Sequence, residues 1–286
     1  MSLIMVWSYF ISGCLSLFVG EDKKDIILIN YTSNCVENED SIMPGIQIPS
    51  NIKNQYQNNG YVLIKQLFSM QECDKLIQRS LALHARKSVP GCFHSVLESE
   101  SDGDPLRTYP RMMHPHRVDD LSLHFLKHPR IVEVLRVLLG SEAIGLQTMF
   151  YWKPPGARGQ DFHQDDYYLR TEPNACIAAW MALDYIDEEN GGLVVLPGSN
   201  AEDILPMSPI DTSRSFTDTA VQPPDQYAEH LVEMGKGDLL FFHGRLIHGS
   251  RPNRSSTRFR KAFICHYIPA DSTSYNTGYD PIVPLN

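Results

Sequence analysis

The second half of the chain constrains the fold most strongly, because short apolar segments alternate there with turn-forming residues. Gly, Pro and Asn clusters interrupt the pattern at 153–156, 190–192 and 197–199, and a Gly-Asp pair stands at 237–238. Such punctuation is typical of antiparallel strands that reverse direction often, as in a sandwich or a jelly roll. The strands predicted in this way cover residues 145–152, 162–169, 176–184, 193–196, 239–242 and 259–268.

Helical patterns precede this β-rich part. Ser69, with Glu72 three residues later, matches a capping box and predicts the start of a helix. The apolar stripe of that helix consists of Cys73, Leu76, Ile77 and Leu81. A second helical pattern runs from residue 119 to 139 and ends at Gly140. The fold class is therefore expected to be mostly β, with flanking helices that pack on one sheet.

Composition divides the chain into four parts. Residues 1–20 carry no charge and are mostly apolar, which leaves a signal peptide, a membrane anchor and an extension without a targeting role as open interpretations. Residues 21–54 are polar and irregular and are expected to be a linker, 55–270 form the main domain, and 271–286 are a C-terminal tail. We expect membrane association only if the first segment is an anchor. Localisation stays open, with the cytoplasm slightly ahead of the secretory pathway or an anchored form.

Charge and cysteine spacing exclude several classes of protein. The formal net charge of −9 argues against a nucleic-acid partner, whose binding surface would normally be basic. The cysteines are scattered without CxxC spacing, which disfavours a zinc ribbon or a dense disulfide framework.

One constellation carries chemistry: His163 and Asp165, two residues apart, followed much later by His248. Two histidines and one carboxylate are the protein ligands of a non-haem Fe(II) site that keeps its other coordination positions open. Residues i and i+2 of a strand point to the same side, so a strand through 162–169 would direct His163 and Asp165 at one ion. The sequence therefore predicts a metal site at His163, Asp165 and His248.

The sequence around these residues resembles a known family. The runs HQDDYYLRTEPNACIAAWMALDYIDEENGGLVVLPGSN (163–200) and GDLLFFHGRLIHGSRPNRSSTRFRKAFICHY (237–267) are similar to the phytanoyl-CoA dioxygenase family of Fe(II)- and 2-oxoglutarate-dependent oxygenases. The similarity extends over about residues 55–270. It implies a double-stranded β-helix, the jelly-roll, cupin-like fold, and Fe(II) with 2-oxoglutarate and O2 as cosubstrates.

The resemblance also implies roles for individual residues. The distal carboxylate of 2-oxoglutarate needs a cation, and an arginine can bind it with two parallel hydrogen bonds. The family's spacing falls between Arg258 and Arg260; the run Phe-Arg-Lys-Ala at 259–262 matches the family pattern better, which favours Arg260. Met149 and Trp180 align with positions that line the cosubstrate pocket, although simple core packing is an alternative for each.

The implied reaction is oxidation of a C–H bond in a small organic or acyl substrate, with release of succinate and CO2. Because Asp165 is retained where halogenating relatives lack a carboxylate, we expect hydroxylation or another oxidation rather than halogenation. The alternative is a non-catalytic jelly-roll protein that binds a metal or ligand without turnover. The loops at 86–115 and 200–229 are expected to select the substrate, and the oligomeric state is left open.

Overall fold

The computed structural model describes residues 7–11, 14–18, 48–173 and 176–285, in two compact units. In the first unit, β1 (Trp7–Ile11) pairs antiparallel with β2 (Cys14–Phe18). Most of the predicted linker, 21–47, lies outside the described residues. Among the described residues, no helix is both long and apolar enough for a membrane span.

The second unit, Ile46–Asn286, contains all other elements. In chain order these are α1 (Ile52–Asn59), β3 (Tyr61–Ile64), α2 (Met70–His84), β4 (Ser88–Val89), β5 (Phe93–His94), α3 (Pro105–Thr108), β6 (Met112–Met113), α4 (Asp120–Leu126), α5 (Pro129–Leu139), β7 (Ala143–Tyr151), β8 (Gln160–His163), α6 (Asp165–Leu169), β9 (Ile177–Ala182), β10 (Leu193–Val195), β11 (Met207–Pro209), β12 (Thr219–Val221), β13 (His230–Val232), β14 (Leu239–His243), β15 (His248–Ser250), β16 (Ala262–Pro269) and β17 (Val283–Pro284). Short 3-10 turns lie at Glu98–Glu100, Pro115–Arg117, Ser199–Ala201 and Thr277–Tyr279.

Two antiparallel sheets form the body of this unit. The major sheet has seven strands, in the order β17-β7-β16-β9-β14-β3 with β6 paired to β7. The minor sheet has four strands, in the order β13-β10-β15-β8. Neighbours within each sheet are far apart in sequence, as in a jelly roll, and the predicted mostly-β fold with flanking helices is confirmed.

Strand β9 shows why the major sheet is so apolar. Its side chains alternate between two faces, and all of them are buried. Ala178, Trp180 and Ala182 pack in the cluster that includes Leu193 and Val195 of the minor sheet. The other face of β9 belongs to a larger cluster that it shares with the helices. A strand covered on both sides reads as a continuous apolar run rather than an alternating one.

The helices that cover the major sheet differ in detail from the sequence prediction. The capping box of α2 is confirmed, since the Ser69 and Glu72 side chains each bond the other's backbone N–H. The helix buries Cys73, Leu76, Ser80 and Leu83, whereas the predicted inward position of Leu81 is wrong. The single helix predicted over 119–139 is two helices, α4 and α5, because Pro129 starts a new helix with the His128 ring as its N-cap.

Gly237, just before β14, packs closely against the backbone of Phe68. Its φ of +91° is disfavoured for residues with a Cβ, and a Cβ there would lie 2.1 Å from the backbone oxygen of Phe68. We expect Gly237→Ala to lower the free energy of unfolding by roughly 2 kcal/mol, combining backbone strain and the clash. Urea denaturation measures this. Gly103→Ala is the control, because its φ is also positive but nothing lies within 4 Å of the added methyl group. Equal losses for both variants would contradict the close approach at Gly237.

Candidate active site

The two predicted histidine ligands lie side by side in the minor sheet. His163 ends β8 and His248 begins β15, and the two residues are direct partners in the antiparallel ladder. Their ring centroids are 4.2 Å apart. Residues separated by 85 positions in the sequence (248 − 163) are therefore brought together by strand pairing alone.

Asp165 reaches the same place by a different route from the predicted one. The prediction of a strand carrying both His163 and Asp165 is wrong, because β8 ends at His163 and Asp165 is the first residue of the one-turn helix α6. Gln164 keeps extended backbone angles, and the amide of Asp166 donates to the Gly244 oxygen, which fixes the turn. The chain bends at the site instead of running past it.

The three side chains offer one ligand atom each within a small volume. The Asp165 Oδ1 atom is 3.7 Å from His163 Nε2 and 3.8 Å from His248 Nε2. All three ligand atoms lie within 4.8 Å of one another, and no other group of three such residues in the described part of the chain meets this condition. Both histidines are buried and Asp165 is nearly so.

Backbone carbonyls orient the two imidazole rings. His163 Nδ1 is 3.0 Å from the oxygen of Asp161, and His248 Nδ1 is 3.0 Å from the oxygen of Leu246. Since a carbonyl only accepts, each Nδ1 carries the proton and each Nε2 is the unprotonated nitrogen. The Nε2 atom of His163 accepts from Gln160 Nε2 at 3.1 Å, a contact that a bound metal would replace. Burial, followed by the neighbouring His248, lowers the pKa of His163 to about 3, which keeps this ligand neutral.

His266 contacts one carboxylate oxygen of Asp165 and leaves the other oxygen facing His163 and His248. Its Nε2 lies 3.1 Å from Oδ2, while Oδ1 faces the histidine pair. Burial by itself would raise the pKa of the Asp165 carboxyl, but His248 and then His266 hold it well below its usual range. This role of His266 was not identified from the sequence; its shared parity with Ile264 on β16, a residue that lines the same cavity, is the signal that could have found it.

Replacement of His266 tests this orienting contact. We expect His266→Phe to weaken Fe(II) binding by about tenfold, because loss of an outer hydrogen-bond partner of a metal ligand typically costs about 10–100-fold. Anaerobic Fe(II) titration gives the dissociation constant. His266→Gln, which keeps an N–H donor, should recover part of the affinity; unchanged Fe(II) binding by His266→Phe would contradict the contact.

The two candidate arginines occupy different surroundings. Arg260 is 3% exposed and lines a cavity together with His163, Asp165 and His248. Its Nε donates to the oxygen of Gly191 at 3.3 Å, and burial lowers its pKa to about 10. Arg258 does not line this cavity, and its Nη2 atom is engaged by the carboxylates of Asp187 and Glu189 at 2.9 and 2.5 Å.

Met149 and Trp180 both line the same cavity. The Trp180 ring lies 5.3 Å from the Arg260 guanidinium carbon, within the range of a cation–π contact. Tyr151, which the sequence prediction missed, donates from its hydroxyl towards Met149 Sδ at 3.8 Å and has the Arg260 guanidinium 5.8 Å from its ring. One wall of the cavity thus combines a buried cation with flat, polarisable side chains.

Arg111 and Phe216 meet next to this wall. Arg111 Nη1 donates to the Tyr151 hydroxyl at 2.8 Å, and its guanidinium carbon lies 5.8 Å from the Phe216 ring. Phe216 belongs to the 200–229 segment, one of the two loops that the sequence analysis expects to select the substrate. This segment therefore reaches a side chain that lines the cavity, Tyr151.

The donor set fits Fe(II) and a dicarboxylate. Two imidazole nitrogens and one carboxylate oxygen on one side of a cavity suit a non-haem iron ion with open positions. The buried Arg260 in the same cavity suits the far carboxylate of a molecule held between the two. A jelly roll with this arrangement corresponds to the class of non-haem iron oxygenases.

Comparison with known proteins places the chain within that class. The phytanoyl-CoA dioxygenase (PhyH) family model matches residues 56–262. Peroxisomal phytanoyl-CoA dioxygenase of Rattus norvegicus is 32% identical over 235 residues, covering 76% of this chain and 67% of that protein. A probable alpha-ketoglutarate-dependent hypophosphite dioxygenase of Stutzerimonas stutzeri is 26% identical over 227 residues, covering 76% and 78%. The chain belongs to the phytanoyl-CoA dioxygenase family.

Solved structures agree with the fold. The epimerase SnoN, in complex with Fe3+, alpha ketoglutarate and nogalamycin RO, has a TM-score of 0.63 at 19% identity and covers 80% of this chain and 86% of its own. EctD from S. alaskensis, with 2-oxoglutarate and 5-hydroxyectoine, has a TM-score of 0.61 at 20% identity and covers 80% and 79%. Together with the relatives, the family identifies the protein as a 2-oxoglutarate-dependent dioxygenase.

Proposed function

We propose that the protein hydroxylates a C–H bond of a small organic or acyl substrate, with His163, Asp165 and His248 as its Fe(II) ligands and Arg260 as the anchor of 2-oxoglutarate. The observation that carries this proposal is the cavity that these four side chains share. Its metal-ligating atoms converge on one side, and its buried guanidinium has no carboxylate partner within the described residues.

Each residue has a physical task in this proposal. The two histidines present Nε2 because their Nδ1 protons are held by backbone carbonyls. Asp165 supplies one anionic oxygen, and His266 holds the other, which favours a single metal bond and leaves positions open. Iron(II) bound here would supply the oxidation that converts 2-oxoglutarate and O2 to succinate and CO2 with oxygen transfer to the substrate.

The cosubstrate subsite is supported by burial and charge. The Arg260 side chain lies against Trp180 and Tyr151, which excludes water around its guanidinium group. An ion pair with a carboxylate is stronger in such surroundings than at a surface. We propose that Met149 and Trp180 complete this subsite as apolar walls along the carbon chain of 2-oxoglutarate.

The retained carboxylate of Asp165 supports hydroxylation or another oxidation over halogenation. Substrates named for the relatives differ widely: phytanoyl-CoA for the rat protein and hypophosphite for the bacterial one. Because these substrates share little chemistry, we propose only the class of a small organic or acyl molecule.

Spectroscopy under anaerobic conditions tests the proposal. Addition of 2-oxoglutarate to the protein with Fe(II) should produce a weak visible charge-transfer band, which requires both to bind at one site. Once O2 is admitted, succinate formation should rise when the true substrate is present, so a screen of acyl thioesters, free acids and small amines identifies it. A protein that binds Fe(II) but gives neither the band nor succinate would support the non-catalytic alternative.

A further inference from the structure

Lys153 is a fully buried lysine with an unusual set of partners. It follows β7 by two residues and is 2% exposed, although lysine is almost never fully buried without a charged partner. Its Nζ donates to Ser250 Oγ and to the backbone oxygen of Arg251, both at 2.7 Å. Both acceptors are neutral oxygens, so the charge of the ammonium group is solvated but not balanced.

A second buried cation, Arg260, is close enough for its charge to act on Lys153. Burial, and then the charge of Arg260, lowers the pKa of Lys153 well below its usual value. Asp184, the acid that bears on Arg260, is bonded at 2.9 Å by Lys261, and no ion pair within the described residues includes Lys153 or Arg260. Two buried basic groups without an anion are destabilising, and an anionic ligand bound in the cavity next to Arg260 would reduce that cost.

Lys153 also connects the two segments that carry the candidate cosubstrate contacts. Its backbone oxygen accepts from the Arg260 amide at 3.0 Å and from Asn253 Nδ2 at 3.0 Å, while its side chain bonds the end of β15. Space for its stem is limited, since a Cβ on Gly191 would lie 2.7 Å from Lys153 Cδ. The stem of Lys153 therefore packs closely against the backbone of Gly191.

The contact with Ser250 determines what that serine offers to the cavity. Ser250 lines the cavity beside Arg260. A protonated lysine is a donor only, so Ser250 Oγ accepts from it and its own hydroxyl hydrogen remains available. A dianion bound in the cavity favours the protonated form of the lysine.

Resting on the proposed function, we propose that Lys153 is a positioning residue of the cosubstrate subsite. By holding Ser250 Oγ, it directs the serine hydroxyl to the distal carboxylate of 2-oxoglutarate, which Arg260 and Ser250 then bind together. Lys153 itself remains behind the cavity wall and does not touch the ligand, which separates its role from that of Arg260.

The experiment compares 2-oxoglutarate with 2-oxovalerate, an analogue of equal chain length that lacks the distal carboxylate. Dissociation constants of both are measured anaerobically from the charge-transfer band of the Fe(II) protein. We expect Lys153→Met to weaken 2-oxoglutarate binding by about tenfold, the effect of ~1.4 kcal/mol. It should leave 2-oxovalerate and Fe(II) binding within about twofold, because its role is confined to the distal carboxylate. Lys261→Met, which removes a neighbouring lysine paired with Asp184, is the control and should change neither constant.

Ser250→Ala keeps the test decisive if Lys153→Met does not fold. It should reproduce the selective loss of 2-oxoglutarate affinity, and the double variant should be no weaker than either single one, since both remove the same contact. Equal weakening of both ligands, additive effects, or a Ser250→Ala variant with wild-type affinity would overturn the role of Lys153. A wild-type protein that binds no 2-oxoglutarate would instead contradict the proposed function itself.

Discussion

Asp165→Asn is expected to reduce substrate-dependent succinate formation by at least about 1000-fold, because the contribution of a bound metal amounts to several kcal/mol of the activation barrier. The amide keeps the size of the carboxylate but removes its charge, and with it the anionic ligand between His163 and His248. The fold should survive, since the asparagine fills the same space and Asp165 lines the cavity outside the hydrophobic core clusters. Coupled succinate and product assays, with circular dichroism for the fold, measure both quantities.

Asp166→Asn is the matched control, one residue along the same helix. Thr171 Oγ1 donates to Asp166 Oδ1 at 2.5 Å, and an asparagine oxygen can accept that bond equally well. Burial raises the pKa of Asp166 to about 6, so above that pH the group is charged although it is buried, which destabilises the fold. Because this pKa is higher in the folded than in the unfolded protein, the free energy of unfolding falls as the pH rises through about 4 to 6. At pH 8, Asp166→Asn should therefore unfold at the same temperature as the wild type or at a higher one. Full activity in Asp165→Asn, or its loss in Asp166→Asn alone, would contradict the proposed ligand set.

The approximate positions of the strands and the three candidate metal ligands could be predicted from the sequence for a physical reason. Turn residues and apolar runs are local signals, and two histidines and one carboxylate are a limited set of candidates in any chain. The bend of the backbone at Asp165 could not be predicted from the sequence, because it depends on Gly244. The backbone oxygen of Gly244 accepts a hydrogen bond from the Asp166 amide. A Cβ on Gly244 would lie 2.5 Å from the Asp166 carboxylate, so this helix turn requires a glycine that is distant in sequence.

Contacts between residues far apart in the sequence are the other feature of the site that the sequence analysis could not predict. His266 meets Asp165 across 101 residues, and Lys153 meets Ser250 across 97. The hydrophobic periodicity of a strand does not reveal such a contact, because each of the two residues fits the pattern of its own strand whether or not the other is present. The choice between Arg258 and Arg260 is of the same kind, since it depends on Asp187 and Glu189 in another loop.

Arg260→Ala is expected to raise the KM for 2-oxoglutarate by about 100-fold, because loss of a buried, charge-assisted partner costs about 2–5 kcal/mol in binding. The kcat at saturating 2-oxoglutarate should fall much less, since the metal ligands are untouched. Arg260→Lys should recover only part of the affinity, because a lysine cannot form two parallel hydrogen bonds to a carboxylate. Steady-state kinetics with varied 2-oxoglutarate separates these effects.

The comparison with Arg258→Ala decides between the two arginines. Arg258 is partly exposed and bonded to Asp187 and Glu189, and exposed ion pairs contribute at most about 1 kcal/mol to stability. Its removal should therefore lower the unfolding temperature slightly and leave the KM for 2-oxoglutarate within about twofold, as for a surface site. If Arg258→Ala raises that KM and Arg260→Ala does not, the anchor is Arg258. The cavity next to Arg260, with Trp180 and Tyr151 against its guanidinium group, would then need a different occupant.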